Sequence, residues 1–180
     1  MRNAVSLFAA LFLLSCFSSA QTFTLRSADL GGQASPQQVF NGFGCNGSNL
    51  SPQLSWENAP EGTKSFAITI YDKDAPTGSG WWHWLVFNIP ANIKELKQDA
   101  GNSSGKNLPA GAVQSITDFG QPGYGGPCPP PGRTHQYTIT IHALDTDNLK
   151  LDPKSNPATV GFNINSRTIQ KASIVFYYKR

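Results

Sequence analysis

Residues Asp72–Trp84 read DKDAPTGSGWWHW, and the fold is decided by how this stretch is read. Two aspartates and a proline turn follow the apolar run SFAITIY (Ser65–Tyr71) and precede the aromatic run WHWLVFN (Trp82–Asn88). Both runs have strand composition, and a short connection rich in Gly, Pro and Ser joins two strands as an antiparallel hairpin. Alternation along the second strand puts Trp81, His83, Leu85 and Phe87 on one face and Trp82, Trp84 and Val86 on the other. His83 then has no polar neighbour on its own face. A buried imidazole needs a hydrogen-bond partner, and Asp72, across the hairpin, is the expected one.

Outward from this hairpin the same pattern repeats. Seventeen glycines and thirteen prolines cut the chain into short pieces, most of them rich in Val, Ile, Thr and aromatics. Further strands are predicted at Phe23–Ser27, Gln53–Trp56, Gln136–Leu144 and Ala172–Tyr178. In YTITIHAL, Tyr137, Ile139 and Ile141 share one face while Thr138, Thr140 and His142 share the other. Helical signals are confined to Asn163–Lys171, with a turn at Ala91–Leu96. The pattern predicts a mostly β protein, an antiparallel sandwich or barrel. Two long loops interrupt it, Gly42–Pro52 and Gly120–Gly132, and long loops in a compact domain are commonly functional.

The 180 residues suit one domain. Residues 1–20, MRNAVSLFAALFLLSCFSSA, have one positive charge, an apolar run and small residues before Gln21, which is the pattern of a secretory signal peptide. The domain is therefore assigned to residues 21–180. Cys16 lies in Leu-Leu-Ser-Cys, which resembles a lipobox, although Leu14 fits that pattern poorly; the minority reading is a lipoprotein anchored at Cys16. The expected location is periplasmic or secreted.

No segment reaches the roughly 18 apolar residues of a membrane span. Without Arg2, 13 of the 14 Lys and Arg remain against 11 Asp and Glu, a net charge of +2, and the basic residues are scattered. Nucleic acid is therefore not an expected partner. Two cysteines remain beyond residue 20, Cys45 and Cys128, one in each long loop. An even count in an oxidising compartment predicts that they pair; the alternative is two buried free thiols.

At His135 and Tyr137 an imidazole and a phenol project from the same strand face beside the proline-rich loop. DKDAPTGSGWWHW together with GPCPPPGRTHQY resembles the two signature regions of the phosphatidylethanolamine-binding protein family, also called Raf-kinase-inhibitor-like, and is most similar to its bacterial branch. The matching positions are Asp72, Asp74, Ala75, Pro76 and His83, then Pro129, Pro130, Gly132, His135 and Tyr137. Asn49–Pro52, Trp56 and Val160–Asn163 extend the resemblance over nearly all of residues 21–180. It implies a two-sheet antiparallel β-sandwich with a short C-terminal helix. It also implies a small pocket for phosphate, acetate or a phosphoethanolamine head group, lined by Asp72, Pro76, His83, Pro129, His135 and Tyr137 with the backbone N–H of Cys128. Gln136 stands where the family usually has Arg, which puts in question the ion pair that braces that strand.

Three functions compete. The first is a binding module for a small anionic ligand, whose rim contacts a protein partner such as a protease or host factor. The second is a metal- or acid/base-dependent hydrolase built from Asp72, His83 and His135, although no nucleophile motif is present. The third leaves the pocket idle and assigns function to the surface, as in a homodimer. No cofactor motif occurs, and His142, deep in its strand, reads as structural.

Overall fold

The computed structural model describes residues 21–180. Residues 1–20, expected to be a signal peptide, and with them Cys16, lie outside the described residues. In chain order the elements are β1 (Thr24–Arg26), β2 (Asn41–Gly42), β3 (Cys45–Asn46), β4 (Leu54–Glu57), β5 (Ser65–Asp72), β6 (Trp81–Pro90), β7 (Glu95–Leu96), β8 (Val113–Gln114), β9 (Thr134–Leu144), α1 (Pro157–Arg167) and β10 (Thr168–Lys179).

All paired strands are antiparallel. A five-stranded sheet runs β10-β9-β5-β6-β8, a three-stranded sheet runs β1-β4-β7, and β2 and β3 form a small ribbon. The main core lies between the two larger sheets: Leu25, Leu54, Trp56 and Leu96 meet Phe66, Ile68, Ile70, Trp84, Val86, Ile139 and Ile141. A second, smaller core lies on the opposite face of the large sheet, where Val160 and Ile164 of α1 cover Ala67, Leu85, Phe87 and Leu144.

The expected hairpin is present, with Asp72 opposite Trp81, but it contains two register shifts. One places Ile70 opposite Trp84 and Tyr71 opposite Trp82, leaving His83 as an extra residue. Such a bulge reverses the alternation, because side chains on either side of it no longer keep period two. Trp84 and Val86 therefore face the main core, while Trp82 packs with Leu85 and Phe87 on the helix side. The simple alternation that grouped His83 with Leu85 and Phe87 is corrected accordingly.

The helix also differs from the Asn163–Lys171 expectation. It starts at Pro157 because Asn156 caps it, its side chain accepting from Thr159 N at 2.9 Å, and proline suits the first helical position. It stops at Arg167 because pairing of β10 with β9 begins at Thr168 opposite Leu144. Residues 168–171 therefore belong to the final strand. Glu95–Leu96, read as part of a turn, is the edge strand paired with β4.

Candidate ligand-binding site

The ends of β5, β6 and β9 open on one side of the main core, and three loops close over them. The resulting cavity has a volume of about 160 Å³ and is lined by Asp72, Pro76, His83, Cys128, Pro129, His135 and Tyr137, all seven positions expected from the sequence. Phe43, Trp81 and Phe119 complete its walls.

The two aspartates of the opening motif have different tasks. Asp72 is 3% exposed. Its Oδ1 accepts from Asp74 N at 2.8 Å, closing the turn after β5, and its Oδ2 accepts from His135 Nδ1 at 2.7 Å. Asp74 Oδ2 accepts from the Gln136 amide at 2.9 Å and so ties the turn to β9. Lys73 Nζ sits 2.8 Å from Asp74 Oδ1, and this hydrogen bond, followed by the amide of Gln136, holds the Asp74 carboxyl below its ordinary range. The Gln136 side chain is on the other face, accepting from the Tyr177 hydroxyl at 3.4 Å. The departure from Arg at this position therefore leaves the cavity unaltered, and the Asp74 carboxylate braces the strand.

His83 is paired differently from the expectation. Asp72 serves His135, and His83 Nδ1 donates to the Gly125 carbonyl at 2.6 Å, while Gly125 N donates to the His83 carbonyl at 2.9 Å. A proton fixed on Nδ1 leaves Nε2 as an acceptor toward the cavity. Burial pushes the His83 pKa down to about 4, against the opposing pull of the Gly125 carbonyl, so the ring is neutral at pH 7. His83 thus presents an acceptor to the cavity, and Asp72, the partner expected for it, serves His135 instead. This close backbone approach requires glycine, because a Cβ at Gly125 would overlap the Phe119 ring.

Tyr137 is 1% exposed, stacked on Phe176 with centroids 5.1 Å apart and edge-on to His83 at 5.1 Å. Burial raises its pKa far above the ordinary phenol value, so it keeps its proton. Its hydroxyl is buried without a hydrogen-bond partner. Among the described residues, Thr24, Gln38, Trp56 and Ser115 also hold such orphan atoms, but Tyr137 alone of these lines the cavity. His135 Nδ1 is committed to Asp72, which leaves Nε2 for the cavity. No lysine or arginine lines it.

Cys45 and Cys128 form the expected disulfide, with Cα atoms 6.0 Å apart. It fastens the β2–β3 ribbon, which carries Phe43, to the wall formed by Cys128 and Pro129. The Cys128 amide makes no hydrogen bond among the described residues. Of the tryptophans, Trp81 lines the cavity, Trp84 is core, and Trp82 packs against Tyr71 at the helix side. Phe43 and Phe119 were not singled out from the sequence, although each sits at the edge of one of the two long loops. His142 is structural, its Nδ1 lying 3.1 Å from Thr168 Oγ1. Among the described residues no three His, Cys, Asp or Glu are grouped as a metal site. No helix among them is long and apolar enough to cross a membrane.

Residues 31–179 match the family described as phosphatidylethanolamine-binding protein. UPF0098 protein YbcL of Escherichia coli (strain K12) is 47% identical over 176 residues, which cover 97% of this chain and 96% of the relative. UPF0098 protein YbhB of the same organism is 49% identical over 138 residues, covering 77% of this chain and 87% of that one. The crystal structure of E. coli YbcL, described as a new member of the mammalian PEBP family, aligns with a TM-score of 0.86 at 49% identity, over 88% of this chain and 98% of that chain. A putative PEBP homolog from Chlamydia trachomatis aligns with a TM-score of 0.73 at 25% identity, over 88% of this chain and 97% of that one. With the profile matching most of its length and a relative nearly half identical from end to end, this chain belongs to the phosphatidylethanolamine-binding protein family.

Proposed function

We propose that this protein is an exported binding module whose cavity holds the acidic head of a small ligand, a phosphate monoester or carboxylate carrying a single negative charge. The observation that carries this reading is the Tyr137 hydroxyl, a protonated donor buried at the cavity floor with no partner. An unmet buried donor costs about 1–3 kcal/mol, and an oxyanion seated on it recovers that cost as a charge-assisted bond. The neighbouring groups also suit a phosphate monoester that retains one proton. His83 Nε2 accepts, and can take the O–H of a monoprotonated phosphate. His135, aligned by Asp72 through Nδ1, presents Nε2 to the cavity.

With a negative Asp72 nearby and no lysine or arginine in the lining, a dianion is disfavoured and binding is selective more than tight. A cavity of about 160 Å³ takes a head group, not acyl chains, so the phosphoethanolamine of the family name enters as a head group only. Export is supported by the leader-like residues 1–20 and by the Cys45–Cys128 bridge, which persists in an oxidising compartment.

The test is calorimetric titration of residues 21–180 with inorganic phosphate, O-phosphoethanolamine and acetate, beside the Tyr137→Phe and His135→Ala variants. Saturable binding, weakened about tenfold or more in each variant, is expected. Absence of saturable heat from all three ligands with the unmodified protein would refute the reading.

A further inference from the structure

The cavity has a gradient from floor to mouth. Asp72, His83, His135 and Tyr137 are each at most 5% exposed and form a polar floor. The mouth is apolar and aromatic. Phe119 stands edge-on to Trp81 with centroids 5.5 Å apart and at 90°, and lies nearly parallel to Phe43 at 5.9 Å and 12°. Pro76, Pro129 and Pro130 close the rest of the wall. An inorganic anion has no use for such a mouth.

Phe43 is the most informative residue. It is 67% exposed, although an aromatic side chain of this size normally seeks cover. It also occupies the first central position of the two-residue turn between β2 and β3, where φ is 53°, followed by Gly44 at 82°. Turns with positive φ at both central residues favour Asn-Gly or Asp-Gly, and a bulky aromatic there is strained. Two neighbours hold it in place. The disulfide leaves from Cys45, two residues on, Arg180 Nη1 donates to the Phe43 carbonyl at 2.9 Å, and the Arg180 guanidinium lies where a side chain at position 44 would be. Backbone strain maintained by a surrounding framework marks a functional position.

Resting on the oxyacid reading above, we infer that the ligand is a small aromatic acid, with its acidic group on Tyr137 and His135 and its ring held at the mouth between Phe43, Phe119 and Trp81. The volume agrees: about 160 Å³ is close to the roughly 150 Å³ of an engineered apolar cavity that takes benzene. Offset-stacked and edge-to-face arrangements are the ones aromatic groups prefer, and the existing Phe119 contacts show both orientations available to an incoming ring.

The experiment compares benzoate with acetate and inorganic phosphate by calorimetry, on the unmodified protein and on Phe43→Asn, Trp81→Ala and Phe162→Ser. Phe162 is 73% exposed on α1, within the helix that covers the opposite face of the large sheet, and serves as the control. Benzoate is expected to bind about tenfold or more tightly than acetate. That ratio should fall to within about twofold in Phe43→Asn and Trp81→Ala and stay unchanged in Phe162→Ser. Because Asn suits a left-handed turn position, Phe43→Asn should melt no lower than the parent, which separates a lost ring contact from a lost fold. Equal binding of benzoate and acetate by the unmodified protein, or an advantage that survives in Phe43→Asn and Trp81→Ala, overturns this inference and leaves the oxyacid reading standing. No binding of any of the three ligands overturns both.

Discussion

Lowering the pH from 7 to 5 should remove about 4 kcal/mol of folding stability, and the loss can be assigned to two histidines. His83 and His142 are each 4–5% exposed, and burial depresses both pKa values from 6.5 to about 4. Lys171 adds to the effect at His142. The unfolded chain takes up these two protons as the pH falls through 6.5, whereas the native state refuses them until about 4. Stability is therefore full above pH 6.5 and declines across that interval, by up to about 1.4 kcal/mol per pH unit for each histidine. At pH 5, about 1.5 units below the unfolded value, each histidine accounts for roughly 2 kcal/mol, a large share of the 5–15 kcal/mol typical of a domain. Urea unfolding followed by tryptophan fluorescence, in buffers free of phosphate and carboxylates, measures this directly. His142→Asn keeps a donor facing Thr168 Oγ1 but removes one titrating group, so its loss between pH 7 and 5 should be about half that of the parent. A parent that loses less than about 1 kcal/mol, or a variant whose loss equals the parent's, would refute the claim that these rings are held neutral by burial.

Three further outcomes are expected. Tyr137→Phe removes an orphan hydroxyl and should raise stability by about 1 kcal/mol in urea while weakening phosphate binding; a destabilised variant would mean that the hydroxyl is already bonded. Cys45→Ser frees a loop closed across 83 residues, so it should cost roughly 4 kcal/mol by chain entropy, lower the melting temperature and weaken phosphate binding as the Phe43 ribbon separates from Cys128; unchanged melting and affinity would sink the idea that the bridge prepares the site. Gly125→Ala should cost about 1–3 kcal/mol, because its Cβ enters the space of the Phe119 ring, and an unchanged unfolding midpoint would show that the loop yields freely.

The parts of the site legible in the sequence are those set by local chemistry. Asp72 and His83 could be brought together because one hairpin joins their strands, and Pro76, His135 and Tyr137 joined them through the resemblance of their motifs to the family. The disulfide followed from a count of two. What stayed hidden depends on register. One extra residue at His83 turns Trp82 away from the cavity and His83 toward it, and no local signal marks it, since every residue from Trp81 to Phe87 is acceptable on either face. Phe43 and Phe119 were hidden for a related reason: loop aromatics reveal their surroundings only when distant chain segments meet. The helix starts six residues before the expected Asn163 because Asn156 and Pro157 together form its capping signal.

The distribution of locally unfavourable features is itself informative. Six non-glycine residues have positive φ among the described residues, and four of them, Asn49, Asn58, Asn88 and Asp99, are of the types that tolerate it. Lys150 and Phe43 do not belong to that group, and only Phe43 lines the cavity. Around the same 160 Å³ lie a hydroxyl without a partner, a neutral histidine held against a carbonyl, and a buried carboxylate that depends on His135 alone for a side-chain partner. The unmet hydroxyl and the buried carboxylate each cost stability. Elsewhere the helix is capped, the strands alternate and the apolar core is closed, and the exceptions, Lys150 and the orphan atoms of Thr24, Gln38, Trp56 and Ser115, are not gathered around a cavity. That costly groups gather around one cavity supports the binding role proposed above, because a ligand seated there would recover part of their cost. The disulfide, the Asp74 tie to β9 and the Gly125–His83 pair already fix those groups, so the proposed ligand would leave little further ordering to be done on binding.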